Sequence, residues 1–419
     1  MAAQPSDTSS AQGLQTFRAL RHRNFRILWL SLTVSAVGTW MQIVALSLLV
    51  LKITNGSAVA LGVLSLTQAA AFFLSAPIAG GIADRFDKRR LLIVTQSLLM
   101  FLALLLGFAT AAGGIKFWLV LAIAFASSTI LSVDQPARFV LLPSLVPPED
   151  LMNALSLQAA VFNGAAMLGP AIAGLTINFW GIASDFFLNG ASFIAVLVAL
   201  AQLRPEAPGK NEVRRGSLLV SVMESLRSVR ADAVLPAILI AYGLLLFFGP
   251  SPALMLPIFA DRALQIGPTG LGMLFSALGL GTIAGSLIAA SIGNRTSKSY
   301  LIWIGYVLWA SALAAFGLSH GLGIAMATLA IAGTAQNLLS TTTITLMQMR
   351  VPPAMRGRVM SLNTLLLMGA RPLGDFPASA AIALLGVRAT VLIAAGIVGC
   401  GALCAIRPRR IAAVLDQFV

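Results

Sequence analysis

Residues 80–90 read Gly80-Gly81-Ile82-Ala83-Asp84-Arg85-Phe86-Asp87-Lys88-Arg89-Arg90, a knot of charge between two long stretches that have none. No Asp, Glu, Lys or Arg falls between Lys52 and Asp84, nor between Arg90 and Lys116. The same pattern runs outward in both directions. Charge-free stretches span Arg26 to Lys52, Lys116 to Asp134, Asp150 to Asp185 and Asp185 to Arg204. Beyond a polar stretch come Asp232 to Asp261, Arg262 to Arg295, Lys298 to Arg350 and Arg388 to Arg407. A membrane span needs about 20 apolar residues. The stretch from Lys298 to Arg350 is long enough for two, hinged near Ser319-His320-Gly321. The stretch from Arg358 to Arg388 holds the charges read as intramembrane, Arg371 and Asp375. The spacing predicts about twelve transmembrane helices, six on each side of a linker.

Composition supports lipid as the solvent. The chain has 419 residues, 58% hydrophobic and 10% charged, against about 25% charged in a soluble domain. In lipid only helices or closed barrels satisfy the backbone, and barrels alternate in segments of about ten residues. The long runs rich in Leu, Ala and Gly therefore read as helices. A net charge of +14 would suggest nucleic acid in a soluble protein. Here the basic residues sit between apolar runs, where the positive-inside rule puts them, and no nucleic-acid partner is expected.

Orientation follows from where they sit. Of 28 Lys and Arg, only Lys52, Lys116, Arg262 and Arg388 fall on the side opposite the N-terminus, and Arg371 falls inside a span. Both termini and the linker are expected in the cytoplasm. Residues 1–16 read as a disordered tail, 17–203 as one six-helix bundle, 204–231 as a cytoplasmic linker and 232–419 as a second bundle. Within the linker, Leu219, Val222, Met223, Leu226 and Val229 share a face, which reads as an amphipathic helix on the membrane surface. Cys400 and Cys404, in one apolar run, read as packing residues. His22 and His320 are isolated, and no metal, nucleophile or phosphate-loop motif appears. No cofactor and no catalysis are expected.

The two halves repeat. Val146-Pro147-Pro148 recurs as Val351-Pro352-Pro353; Ser156, Gly164, Gly169 and Gly181 recur at the same offset as Ser361, Gly369, Gly374 and Gly386. An even number of spans between copies makes this a parallel repeat, as in the halves of major facilitator transporters.

Residues 80–90 resemble the G-x-x-x-D-R-x-G-R-R loop of that superfamily, with Asp87 where the family usually has Gly. The resemblance implies a gate built from Gly80, Asp84, Arg85, Lys88 and Arg89. Asp84 would face the N-terminus of the eleventh span, near Gly357, when the cytoplasmic side closes. Asp134 and Arg138, ending the fourth span, are candidates to pair with the basic loop and with Asp84. Gly164, Gly169, Pro170 and Gly174 resemble the G-x-x-x-G-P-x-x-G-G motif of exporters in the superfamily, although Ala165 and Ala173 stand where that motif has glycine. Three further segments resemble its enterobactin-exporter branch, also described as transmembrane secretion effectors. They are Phe17-Arg18-Ala19-Leu20-Arg21 with Asn24-Phe25-Arg26; Gly38-Thr39-Trp40-Met41-Gln42; and Phe187-Leu188-Asn189-Gly190-Ala191-Ser192-Phe193. The resemblance implies proton-driven efflux of siderophores, antibiotics or other amphiphiles; a monomer in the inner membrane of a bacterial cell is expected.

Arg371 and Asp375 are four apart and share a helical face. Asp375 is the candidate proton-exchanging group, with Arg371 competing for it or holding an anionic substrate; the other reading is a static pair that fixes packing. Gln42, Gln68, Gln158, Asn163, Gln336, Asn337 and Asn363 lie at midplane depth as candidate cavity residues, each with helix–helix bonding as the plainer role. The rival readings are an importer of small organic solutes on the same fold, an intramembrane enzyme, and a non-transporting partner.

Overall fold

The computed structural model describes residues 15–203, 235–249, 251–292, 296–351, 363 and 366–405. The predicted linker, its amphipathic helix, the start of the eleventh span near Gly357 and residues 1–14 lie outside them.

The first half is six helices: α1 (Arg23–Ile53), α2 (Ala58–Arg85), α3 (Lys88–Ala111), α4 (Phe117–Leu141), α5 (Leu151–Trp180) and α6 (Ile182–Gln202). Local chemistry sets their ends. Asn55 and Gly56 take left-handed φ of 52° and 82°, turning the chain so that Ser57 can cap α2 through the Ala60 N–H. Asp87 caps α3 by accepting from the Arg90 N–H at 2.9 Å. That cap accounts for an Asp where the motif usually has Gly.

In the second half, α7 (Leu235–Phe248) and α8 (Pro252–Ile258) form one broken span that runs on into a π-turn (Phe259–Leu264). Then come α9 (Pro268–Ile292), α10 (Lys298–Leu318) and α11 (Leu322–Arg350). A π-turn (Leu366–Ala370) leads into α12 (Arg371–Leu385), and α13 (Val387–Ala405) follows. Among the described residues, ten helical stretches are long and apolar enough to cross a bilayer, α7 and α8 making one of them. The parts of the eleventh and twelfth spans that are described are shorter. The hinge between α10 and α11 falls at Ser319-His320-Gly321, where the sequence put it. Phe179, Trp118, Trp180 and Leu384 are exposed, as lipid-facing residues are; the two tryptophans sit at helix ends.

The internal repeat is visible in the backbone. Gly181 and Gly386, equivalent positions, end the fifth and eleventh spans with φ of +80° and +85°. Gly169 lies against α1, where an added Cβ would stand 2.9 Å from the Val37 carbonyl oxygen. Its counterpart Gly374 lies against α7 at the Phe247 carbonyl. Each half thus packs its fifth helix on its first through one glycine. The halves meet through α5 with α9 and α2 with α12, two interfaces exchanged by the same pseudo-symmetry, and through α1 with α8.

One sequence expectation needs correction. Asp185 does mark the start of a span, in the first turn of α6, but it is not solvated there: it is 0% exposed. Asp134 is likewise inside α4 and 1% exposed. Charge delimits most spans here because solvating it outside lipid is cheapest. It fails where a neighbouring helix supplies hydroxyl and amide donors.

Candidate transport pathway and inter-half latch

Asp375 sits where the halves meet. Its carboxylate, 2% exposed, accepts from Ser65 Oγ of α2 at 2.7 Å. It also accepts from the Ser251 N–H at 3.0 Å and from Ser251 Oγ at 2.8 Å. Ser251 lies at the break between α7 and α8, where the chain leaves one helix and caps the next. The break frees the backbone N–H that reaches the carboxylate. A cavity of about 70 Å³ adjoins Asp375, lined among others by Ser47, Ser65, Gln68 and Ser251. Arg371, one turn away, makes no ion pair with Asp375. The static pair read from the i, i+4 spacing is thus not formed: donors from two other helices occupy the carboxylate instead.

Among the described residues, the hydrogen bonds between halves lie toward the end opposite the N-terminus, here called the far face. Arg262 donates to the Gly56 carbonyl at 2.6 Å. Ser47 donates to the Ala253 carbonyl at 3.1 Å. Thr269 and Ser276 of α9 donate to the carbonyls of Gly174 and Met167 on α5, at 3.2 and 2.7 Å. Small residues permit this approach. A Cβ on Gly174 would stand 2.6 Å from the Pro268 carbonyl oxygen, and one on Gly272 would meet the Pro170 carbonyl. Around Gly164 and Gly81, nearer the N-terminal face, nothing among the described residues lies within 4 Å of such an atom. The exporter-like motif is therefore split three ways: Gly169 seats α5 on α1, Pro170 and Gly174 face α9, and Gly164 borders open space.

At the N-terminal face the loop motif is largely structural in this conformation. Arg89 donates to the Leu200 and Ala201 carbonyls at 2.6 and 2.7 Å, closing the C-terminus of α6. Lys88 bonds the Phe86 carbonyl at 3.1 Å, and Arg85 is exposed. Gly80 and Asp84 belong to α2; their surroundings, like the opposing end of the eleventh span, lie outside the described residues. Asp134 does not reach the basic loop. It pairs with Arg138 in its own helix, at 2.9 Å to Nε and 2.8 Å to Nη2. Its other oxygen accepts from Thr95 and Gln96 of α3, both at 2.7 Å. Burial explains the choice: four donors on neighbouring turns satisfy the ion without a flexible loop.

The polar candidates separate. Gln42 accepts from Asn189 at 2.6 Å, joining α1 to α6. Asn337 accepts from Ser286 at 3.1 Å, joining α9 to α11. Gln68 lines the Asp375 cavity. Gln158 and Asn363 each have a buried amide oxygen with no partner among the described residues. Asn163 and Gln336 are half-buried. Residues that sequence reasoning passed over include Ser65, Ser251 and Arg388. Arg388 donates to the carbonyls of Gly317, Ser319 and Ala263 and stands 5.4 Å over the Phe259 ring. The flanking prolines of Pro250-Ser251-Pro252, inside a charge-free run, were the available signal for Ser251.

Two six-helix halves, related by a parallel repeat and meeting around a buried acid, define a secondary transporter of the major facilitator type. Within it the chain belongs to the transmembrane secretion effector family, whose model matches residues 14–413. It is 27% identical to the multidrug efflux pump Tap of Mycolicibacterium fortuitum, over 87% of this chain and 90% of that protein. It is 24% identical to the enterobactin exporter EntS of Shigella boydii, over 91% and 90%. Among solved structures, a bacterial homologue of the human lysosomal transporter Spinster, inward-facing and unoccupied, superposes with a TM-score of 0.73. That match covers 92% of this chain and 97% of the other at 14% identity.

Proposed function

We propose that this chain exports a small amphiphilic molecule from a bacterial cell in exchange for protons, with Asp375 as the proton-carrying group. The observation that supports it most is the position of Asp375: a buried carboxylate held between the halves by Ser65 from one and Ser251 from the other. Efflux relatives across nearly the whole chain support the direction of transport. The Lys and Arg bias supports an N-terminal face in the cytoplasm of an inner-membrane protein, and on that reading the halves are joined on the outer side.

The cycle follows from the contacts. When the halves part at the far face, Ser65 leaves with α2, and the carboxylate meets water and takes a proton. When they close again, the donors of Ser65 and Ser251 converge, and the carboxyl gives its proton toward the N-terminal face through the cavity that adjoins it. The substrate occupies that cavity in turn, and residues 17–203 and 232–419 rock as two bodies about it. Asp84, Arg85 and Lys88 would close the cytoplasmic face in the opposite state. The protein acts as a monomer.

The test is efflux of fluorescent amphiphiles and siderophores from cells expressing the protein, with and without a protonophore, beside Asp375→Asn. Protonophore-sensitive efflux that the variant loses is the expected result. Wild-type rates in Asp375→Asn would overturn the proton-site assignment, and substrate-dependent uptake would overturn export.

A further inference from the structure

Arg371 opens α12 directly after the π-turn Leu366–Ala370, a distortion frequent at functional sites. Among the described residues it makes no hydrogen bond and no ion pair, and its Nε is buried without a partner. A guanidinium does not deprotonate in proteins. The eleventh span therefore carries a fixed positive charge that makes no direct contact with its own acid, whose oxygens are taken by Ser65 and Ser251. Tyr242 of α7 does not serve as the partner of Arg371: its hydroxyl is hydrogen-bonded to Ser340 at 3.1 Å. A guanidinium without a partner inside a span is costly, so its retention points to a counter-charge that arrives with a ligand.

Its place along the helix fits that role. Residues 371, 375 and 379 form one stripe. Asp375 and Ser379 meet Ser65 and Gly62 of α2, so Arg371 is the next residue of the stripe toward the N-terminal face. The neighbouring surface of α2 is aromatic. A Cβ on Gly369 would stand 2.8 Å from the Phe73 ring, and Phe72 packs edge-on to Phe73 at 6.1 Å. Gln68, on the same face of α2, lines the Asp375 cavity.

We propose that Arg371 is the anion-recognising group of the substrate site, and that the transported molecule is an amphiphilic anion. Its carboxylate- or sulfonate-type group pairs with the guanidinium, and its aromatic or apolar body packs on Phe72 and Phe73. This rests on the reading of the chain as an amphiphile transporter and commits that reading to a sign of charge.

Binding to the purified full-length protein in detergent tests it without any flux, so its failure is separable from failure of the export reading. The probes share one fluorophore: dansylglycine is anionic, dansylamide neutral and dansylcadaverine cationic. The wild type is expected to bind dansylglycine about 10- to 100-fold more tightly than dansylamide, the range for hydrogen bonds to a charged group. Arg371→Gln should remove that preference by weakening dansylglycine far more than dansylamide; Arg371→Lys should keep part of it. Wild-type binding of dansylglycine no tighter than dansylamide overturns the proposal, whatever the variants do. So does a preference that survives in a folded Arg371→Gln protein.

Discussion

Gly174→Ala is a one-methyl wedge at the closed far face. The new Cβ would stand 2.6 Å from the Pro268 carbonyl oxygen and 3.0 Å from the Thr269 Cα. Both are backbone atoms, so no side chain can swing aside. Overpacking of this kind costs about 1–3 kcal/mol, and the cost is present only while α5 and α9 are together. The ratio of far-face-open to far-face-closed molecules should therefore rise about 5- to 150-fold. Gly164→Ala is the control. It makes the same replacement in the same helix, with the same gain in helix propensity, but nothing among the described residues lies within 4 Å of its Cβ. Spin labels at Gly114→Cys and His320→Cys report the opening, since these loops cap the far ends of the two halves. Cys400 and Cys404 would be replaced in that background. Electron–electron distance distributions should lengthen in Gly174→Ala and stay unchanged in Gly164→Ala. Equal distributions in the two variants would refute the claim that Gly174 sets the closed interface.

Other substitutions probe the supports of the site. Asp134→Ala leaves Arg138 without its acid and frees two donors on α3; it should cost about 3 kcal/mol and lower the melting temperature in detergent. Arg89→Ala removes the two contacts that close α6 and should cost about 1–2 kcal/mol, again read by thermal melting, with little change in transport direction. Arg262→Ala breaks an exposed far-face contact to Gly56; such contacts contribute about 1 kcal/mol or less, so thiol labelling of far-face cysteines should accelerate only a few-fold and the melting temperature should hold.

The spans were legible because lipid excludes charge, which leaves helix boundaries written in Lys and Arg. The repeat was legible because glycines at close crossings and at positive φ tolerate no replacement, and Gly181 and Gly386 recur for that reason. The surroundings of the acids were not legible. Spacing placed Arg371 and Asp375 on one face, yet a carboxylate chooses among all donors within reach. The break at Ser251 brought an N–H from another helix closer than the guanidinium. Asp134 found partners on α3, and Asp185 found Thr176 on α5. These are tertiary choices between segments far apart in the chain, and periodicity within one helix carries no record of them. Gln42 illustrates the same limit: its partner Asn189 lies in another quoted segment, and nothing in either segment declares the bond.

The most direct test of the central claim is reconstitution in liposomes with a pH-sensitive dye inside and an imposed pH gradient. Substrate movement and proton movement would be recorded together. The account predicts opposed, stoichiometric fluxes in the wild type, and in Asp375→Asn substrate exchange that no longer responds to the gradient. Proton flux still tied to substrate in Asp375→Asn would contradict it.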